Sequence, residues 1–411
     1  MLGMGEPYMQ GKDKWAIFSI SSIPLVMTLG NSMLIPVLPE IERALGISAF
    51  QVSMLITVYS VVAILCIPIA GYISDHVGRK KVIIPSLILA GIGGFIAGFA
   101  GWQMDSPYGM MIFGRVLQGV GAAGAMPIVL PLVGDMYTDQ NDVSKGLGMI
   151  ETANTLGKVL SPILGAALAL IVWYIPLLSI PILCLISILA LVFLVKVPPM
   201  SGKPVGFKQF IKTTKKIFKR EGRWLYAVFI IGGILMLVIF GVLFYLSTML
   251  EDEFQIEGVK KGIILAIPLA ALCFASFATG KVIGQDKQKM KWYTVAGLGI
   301  LTIAIFTVSF SKDIYLLLTC IFASGVGIGI ALPCLDALVT EGIEMEQRGT
   351  ISSLYSSMRF LGVALGPPIF AVLMKSSHFF MFFLNSLLCL VALLIVLLFI
   401  KPEDPIKPTW G

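Results

Sequence analysis

Three side chains in one stretch of the chain are of the kinds that move a proton or hold a polar ligand: Glu151, Asn154 and Lys158, within G-M-I-E-T-A-N-T-L-G-K-V-L-S-P-I-L-G from Gly148 to Gly165. Spacings of three, four and seven residues put them on one face of a helix. The stretch around them is apolar. An ionised side chain at membrane depth costs about 2.5–3.5 kcal/mol even on lenient insertion scales, so this face is expected to look at a partner or a water-filled cavity and not at lipid. Burial and a nearby cation pull the proton affinity of a carboxyl in opposite directions, and Glu151 beside Lys158 is therefore the first candidate for taking up and releasing a proton.

The elements that must carry these groups follow from composition. Of 411 residues, 57% are hydrophobic and 13% charged, with a mean hydropathy of +0.93. Apolar runs of about 20 residues, long enough for a helix to cross a hydrocarbon layer about 30 Å thick, recur along the chain. They predict an all-α membrane protein with twelve transmembrane helices. The first six are expected at roughly Trp15–Val37, Gln51–Ile73, Val82–Phe99, Gly109–Val133, Gly148–Ile171 and Pro176–Val195. The second six are expected at roughly Leu225–Met249, Gly262–Val282, Trp292–Phe310, Ile314–Val339, Ile351–Met374 and Phe379–Ile400. Between them lies a run rich in Lys and Arg with Phe and Ile interleaved, suited to an amphipathic helix on an anionic leaflet. The organisation expected is a six-helix bundle over 1–196, a cytoplasmic linker over 197–223 and a second six-helix bundle over 224–411.

A net charge of +7 would suit a nucleic-acid partner in a soluble protein. Here the Lys and Arg residues concentrate in alternate loops, as an orientation signal does, and no nucleic-acid partner is expected. With both termini in the cytoplasm, Arg43, Lys260, Lys261, Lys312 and Lys375 are the outer exceptions, and Glu251-Asp252-Glu253 is an acidic outer turn. Pro36 and Pro39 are expected to bend or end the first helix. Met1 to Lys14 is polar and is not followed by a cleavage-type segment. The six cysteines fall in apolar runs without metal-type pairing, so they read as reduced core residues, and neither a metal nor a bound cofactor is expected.

An internal repeat supports the division. G-V-G-A-A-G-A-M-P from Gly119 matches G-V-G-I-G-I-A-L-P from Gly325, an offset of 206, and L-G-K-V-L-S-P from Leu156 matches L-G-V-A-L-G-P from Leu361, an offset of 205. The second offset sets Asn154 against Arg359. Transporters built from such repeats bind substrate near the midplane, and Asn31, Met126, Asn154, Lys158, Tyr355 and Arg359 are the candidate cavity residues. Phe18, Met27, Phe240, Phe244 and Tyr245 extend an apolar wall. Asp336 is the second candidate for proton coupling, unless it stands with Asp135 and Glu341 as a gating residue at the inner edge. The alternative is that all these groups pair off and only hold the helices together.

Four strings resemble signatures of the major facilitator superfamily and, within it, of the twelve-helix drug and proton antiporters of bacteria. Gly71, Asp75, Gly78, Arg79 and Lys80 stand in the order G-x3-D-x2-G-R-[KR] between the second and third helices. By itself this is a tight loop with a positive cluster; in that family it latches the two halves, which implies a gating role. Arg115 opens R-x2-Q-G-x-G-A in the fourth helix, where the family's arginine is associated with proton coupling. Gly148, Gly157, Ser161, Pro162 and Gly165 are similar to the antiporter signature of the fifth helix, with Ser161 in place of a glycine. Gly30-Asn31 followed by I-P-V-L-P-E-I resembles the helix-1 signature, on which relatives often carry an acid.

The resemblance implies a monomeric antiporter in the bacterial plasma membrane that exports lipophilic small molecules or drugs, driven by the proton gradient. The alternative on the same fold is a dedicated exporter of a neutral or anionic natural product, siderophore or lipid-like molecule. A slight excess of cations among the inward-facing groups favours neutral, zwitterionic or anionic cargo over cationic dyes. A membrane enzyme is not expected: His76 and His378 are the only histidines, and neither has a catalytic setting. A channel is disfavoured by the doubled architecture.

Overall fold

The computed structural model describes residues 11–137, 140–196, 212, 215–220, 222–284, 286–343 and 345–400. Most of the expected linker, together with the side chain of Glu341, lies outside the described residues. Among the described residues, twelve long helices follow one another: α1 (Gly11–Ser32), α2 (Ala49–Val77), α3 (Arg79–Gln103), α4 (Tyr108–Ala125), α5 (Gln140–Ala169), α6 (Ile175–Leu194), α7 (Arg223–Asp252), α8 (Gly258–Ile283), α9 (Lys287–Val308), α10 (Ile314–Gly342), α11 (Met345–Leu373) and α12 (His378–Phe399). Lipid offers no partner to a peptide N–H or C=O, so each segment closes its backbone hydrogen bonds on itself. Among the described residues, eleven spans are long and apolar enough to cross a membrane. The remaining long helix, α5, carries Glu151, Thr152, Asn154, Thr155 and Lys158.

Two helices depart from the expected spans. The fourth was expected to run unbroken to Val133, but α4 stops at Ala125 and a short helix restarts over Val129–Met136. Pro127 has no N–H for the Ala123 carbonyl and Pro131 none for the carbonyl of Pro127, so two rungs of the ladder are missing four residues apart. In the first helix, the prolines do not simply end the segment. After Ser32 the chain makes a 3-10 turn at Ile35–Val37 containing Pro36, then a helix over Leu38–Leu45 with Pro39 in its first turn, closed by Gly46 at φ +62°.

Packing divides the chain into two compact units, Met1–Gly46 with Val61–Pro204, and Ile47–Ser60 with Val205–Gly411. In the first, α1 packs on α5 and α6, and α3 on α4 and α6. In the second, α7 packs on α11 and α12, and α9 on α10 and α12, while α8 lies on α10. The first four pairings of each unit correspond, helix for helix, at the interval the sequence repeat predicts.

Candidate functional site

The polar stripe of α5 is positioned by how closely that helix approaches α1. A Cβ on Gly165 would collide with the Met33 carbonyl oxygen, and one on Gly157 would lie 3.2 Å from Thr28 and 3.3 Å from Leu25. Ser161 is fully buried and returns its hydroxyl to the Gly157 carbonyl at 2.5 Å, so it adds little bulk between the helices. This proximity lets Thr28 Oγ1 of α1 donate to Asn154 Oδ1 at 2.7 Å. Asn154 Nδ2 in turn faces the two carboxylate oxygens of Glu151 at 3.3 and 3.4 Å, and Thr155 Oγ1 lies 3.5 Å from one of them. Asn154 is buried, Glu151 exposed and Lys158 half-buried. Glu151 is thus an exposed carboxylate whose hydrogen-bond neighbours on α5 are neutral donors.

Arg115 has no exposed surface. Its guanidinium donates to the Gly30 carbonyl at 2.9 Å, to Gln118 Oε1 at 2.6 Å and to Asn31 Oδ1 at 2.5 Å. A guanidinium offers five N–H donors in a rigid fork, which suits three oxygens from two helices. Thr28 and Asn31 are three residues apart on α1, so that helix carries both the chain leading to Glu151 and the chain leading to Arg115.

In the second unit, Arg359 Nη1 lies 3.3 Å from Asp336 Oδ1, joining α11 to α10. The guanidinium carbon is 5.9 Å from the centre of the Tyr355 ring, near the limit of a cation–π contact. The Tyr355 hydroxyl is buried against Gly232 and beside the Asp336 carboxylate, short of a hydrogen bond with it. Asn154 and Arg359, set against each other by the repeat, are each engaged inside their own unit. Of the apolar candidates, Met27, Phe244, Tyr245 and Tyr355 are buried by packing, Met126 and Phe240 are half-buried, and Phe18 is exposed.

The loop between α2 and α3 is built around one arginine. Arg79 bonds to Asp75, to Ser74 Oγ at 2.7 Å and to Asp135 Oδ2 at 3.0 Å, tying the start of α3 to α2 and to the helix after α4. Gly78 sits at φ +110°, a conformation that disfavours any side chain. Lys80, grouped with Arg79 in the sequence, turns to the carbonyls of Val192 and Val195 at 3.2 and 2.7 Å, where its charge meets the carboxyl end of α6. Gly71 has open space at its Cβ position.

Two groupings had no counterpart in the sequence reading. Glu251, expected in an outer turn, and Lys261, expected in a loop, form an ion pair with side-chain exposures of 2% and 4%. Helix α7 runs on to Asp252, and the unbroken apolar pattern through Met249 and Leu250 was the available signal. His378 donates from Nε2 to the carbonyls of Val308 and Ser311, at 2.7 and 3.1 Å, and meets the Tyr245 hydroxyl through Nδ1 at 2.9 Å. No local pattern announces that contact. Among the described residues no cluster of His, Cys, Asp or Glu could hold a metal ion.

Comparison with known proteins completes the picture. The Major Facilitator Superfamily model matches residues 20–367 and 291–409. The chain is 56% identical over 382 residues to the bacillibactin exporter of Bacillus subtilis (strain 168), covering 93% of this chain and 95% of that protein. It is 26% identical to a multidrug efflux protein of the same organism, over 89% of this chain and 87% of the other. It is also similar to the crystal structure of a bacterial homologue of the human lysosomal transporter Spinster, with a TM-score of 0.77 at 14% identity over 96% of this chain and 97% of that one. Proteins of this family are transporters and not enzymes. On the strength of a family model spanning almost its whole length, the chain belongs to the major facilitator superfamily, as a multi-pass membrane transporter of two pseudo-symmetric six-helix bundles.

Proposed function

We propose that this protein is a proton-coupled antiporter of the bacterial plasma membrane, with both termini in the cytoplasm, that exports a siderophore of the bacillibactin kind. The observation that carries this reading is the 56% identity to a bacillibactin exporter along nearly the full length of both chains. Export of lipophilic drugs, the expectation that the motifs favoured first, is the second reading, supported by the 26% identity to a multidrug efflux protein. Glu151 carries the coupled proton in this scheme: its carboxylate is exposed and meets neutral donors from Asn154 and Thr155. Arg115 holds α1 against α4, and the Asp336–Arg359 pair provides the polar part of the second half's cargo surface. Each proton moving down the membrane potential supplies about 2.3 kcal/mol per 100 mV. Residues 1–196 and 224–411 are the two halves that alternate, with 197–223 as the cytoplasmic linker.

Purified protein in proteoliposomes, given bacillibactin and an imposed pH gradient, tests the assignment. Wild type accumulates the siderophore against its gradient; Glu151→Gln loses gradient-driven accumulation and keeps exchange of labelled for unlabelled siderophore. Robust ethidium transport with none of bacillibactin would overturn the siderophore reading in favour of the multidrug one.

A further inference from the structure

Tyr355 is 3% exposed, and its hydroxyl has no hydrogen-bond partner among the described residues. A buried hydroxyl left unpaired costs stability, and a phenylalanine would fill the same slot without that cost. The slot is fixed from α7. A Cβ on Gly232 would lie 2.6 Å from the Tyr355 ring and 2.8 Å from its oxygen, and the Phe229 ring centre is 5.6 Å from that of Tyr355. Held in this way, the hydroxyl stands beside the Asp336 carboxylate without bonding to it. Asp336 is engaged instead by Arg359, one turn beyond Tyr355 on α11.

We propose that Tyr355 is a specificity-determining residue that gives Asp336 a second donor, so that Arg359 can leave Asp336 for an anionic oxygen group of the cargo; the inference rests on the Asp336–Arg359 pair facing the cargo. Arg359 Nη1 is 3.3 Å from Asp336 Oδ1, beyond the separation of about 2.7–2.9 Å at which a charged pair is well seated. The two side chains keep exposures of 20% and 41%, so a solute can reach them, whereas the tyrosine hydroxyl is closed to solvent. An incoming anion competes with Asp336 for the guanidinium. Asp336 would then lose its charged partner as a second anion entered, and that penalty would fall on the cargo. An O–H donated by Tyr355 to an Asp336 oxygen offsets the loss, because a hydrogen bond to a charged acceptor is stronger than one between neutral groups. With the tyrosine ring held by Gly232 and Phe229, the carboxylate of Asp336 is the group that turns.

No proton changes hands in this exchange: the carboxylate trades an N–H donor for an O–H donor, and the guanidinium trades one anion for another. It selects by chemistry. A cationic or purely apolar solute has no anionic oxygen to offer Arg359 and leaves the Asp336–Arg359 pair closed, whereas an acid opens it. A siderophore binds ferric iron, a hard cation, and hard cations take oxygen donors, so such a cargo carries the kind of group that the exchange requires.

Calorimetric binding of bacillibactin to the purified protein in detergent, beside fluorescence binding of dansylglycine and its uncharged amide, tests this. Tyr355→Phe removes only the hydroxyl; it is expected to weaken bacillibactin binding about tenfold and to cut the preference for dansylglycine over the amide by a similar factor. Its melting temperature is expected to stay level or rise, since the lost hydroxyl had no partner. In an Asp336→Asn background, where no carboxylate has to find a new donor, Tyr355→Phe is expected to have no further effect on either measure. Unweakened binding in Tyr355→Phe alone overturns the proposal, and so does an equal loss in both backgrounds, which would put the partner of the hydroxyl elsewhere. The coupled loss seen with dansylglycine in a protein that binds no bacillibactin supports the exchange and overturns the siderophore reading. A wild type that binds no bacillibactin and does not prefer dansylglycine to its amide overturns both.

Discussion

A guanidinium with no exposed surface must find its oxygen acceptors inside the protein, and Arg115 takes one of them from a side chain on α1, Asn31. Replacing that side chain with an apolar one removes one of the oxygens that receive its charged donors. Asn31→Leu is therefore expected to cost about 1.5–3 kcal/mol, read as a lower melting temperature in detergent, and to slow gradient-driven export. Unchanged stability would mean that Arg115 draws nothing from the Asn31 side chain. Both residues stand out in the sequence as polar groups within apolar runs. Their partnership does not, since 84 residues separate them. Asp336 and Arg359 were likewise visible singly, one as a proton carrier and one as a cavity cation, and the fold makes them an ion pair. Glu251 and Lys261 were misplaced for a related reason: charge near the end of an apolar run reads as a loop, and only the packing of α7 and α8 shows both side chains buried.

The α1–α5 contact decides which glycines of the fifth-helix signature matter. Gly165 faces the Met33 carbonyl with no room for a methyl, whereas nothing lies within 4 Å of the Cβ position on Gly148. Gly165→Ala is expected to destabilise by about 1–3 kcal/mol through overpacking and to reduce export. Gly148→Ala is expected to leave both at wild-type levels, because alanine is also the better helix former. Equal effects in thermal unfolding and transport would show that the signature acts through something other than helix spacing. The motif was readable as a row of small residues, but the difference between its members was not, because it depends on the backbone of another helix. Breaks in helices sort the same way. Pro127 and Pro131 were visible and the interruption of α4 was not foreseen, since a membrane helix absorbs a proline when neighbours satisfy the freed carbonyl. Helix α11 shows that case: Pro368 cannot bond to the Ala364 carbonyl, and Thr57 Oγ1 donates to it at 2.7 Å.

At the scale of the molecule, the charges reachable in each unit are expected to bias which cargo is admitted. Arg359 is offset by Asp336, and Arg115 is sealed from solvent, so the attraction for anions that the bare count of cations suggested is muted. Neutral and anionic compounds are still expected to be transported better than monovalent cationic dyes, and Asp336→Asn to widen that preference several-fold by removing the carboxylate beside Arg359. Counterflow with matched neutral, anionic and cationic compounds checks this, and a preference for cations in the variant would refute it. The twelve apolar segments, their doubled plan and the residues that break the apolar pattern were all readable from residue order, because hydropathy and a self-satisfied backbone are local properties. The grouping of residues 47–60, which include the start of α2, with the second unit was not, and neither were the partners of Arg115, Asp336 and Lys261. Those depend on which helix faces can come close, and that is set by glycines and prolines on segments far apart in the chain.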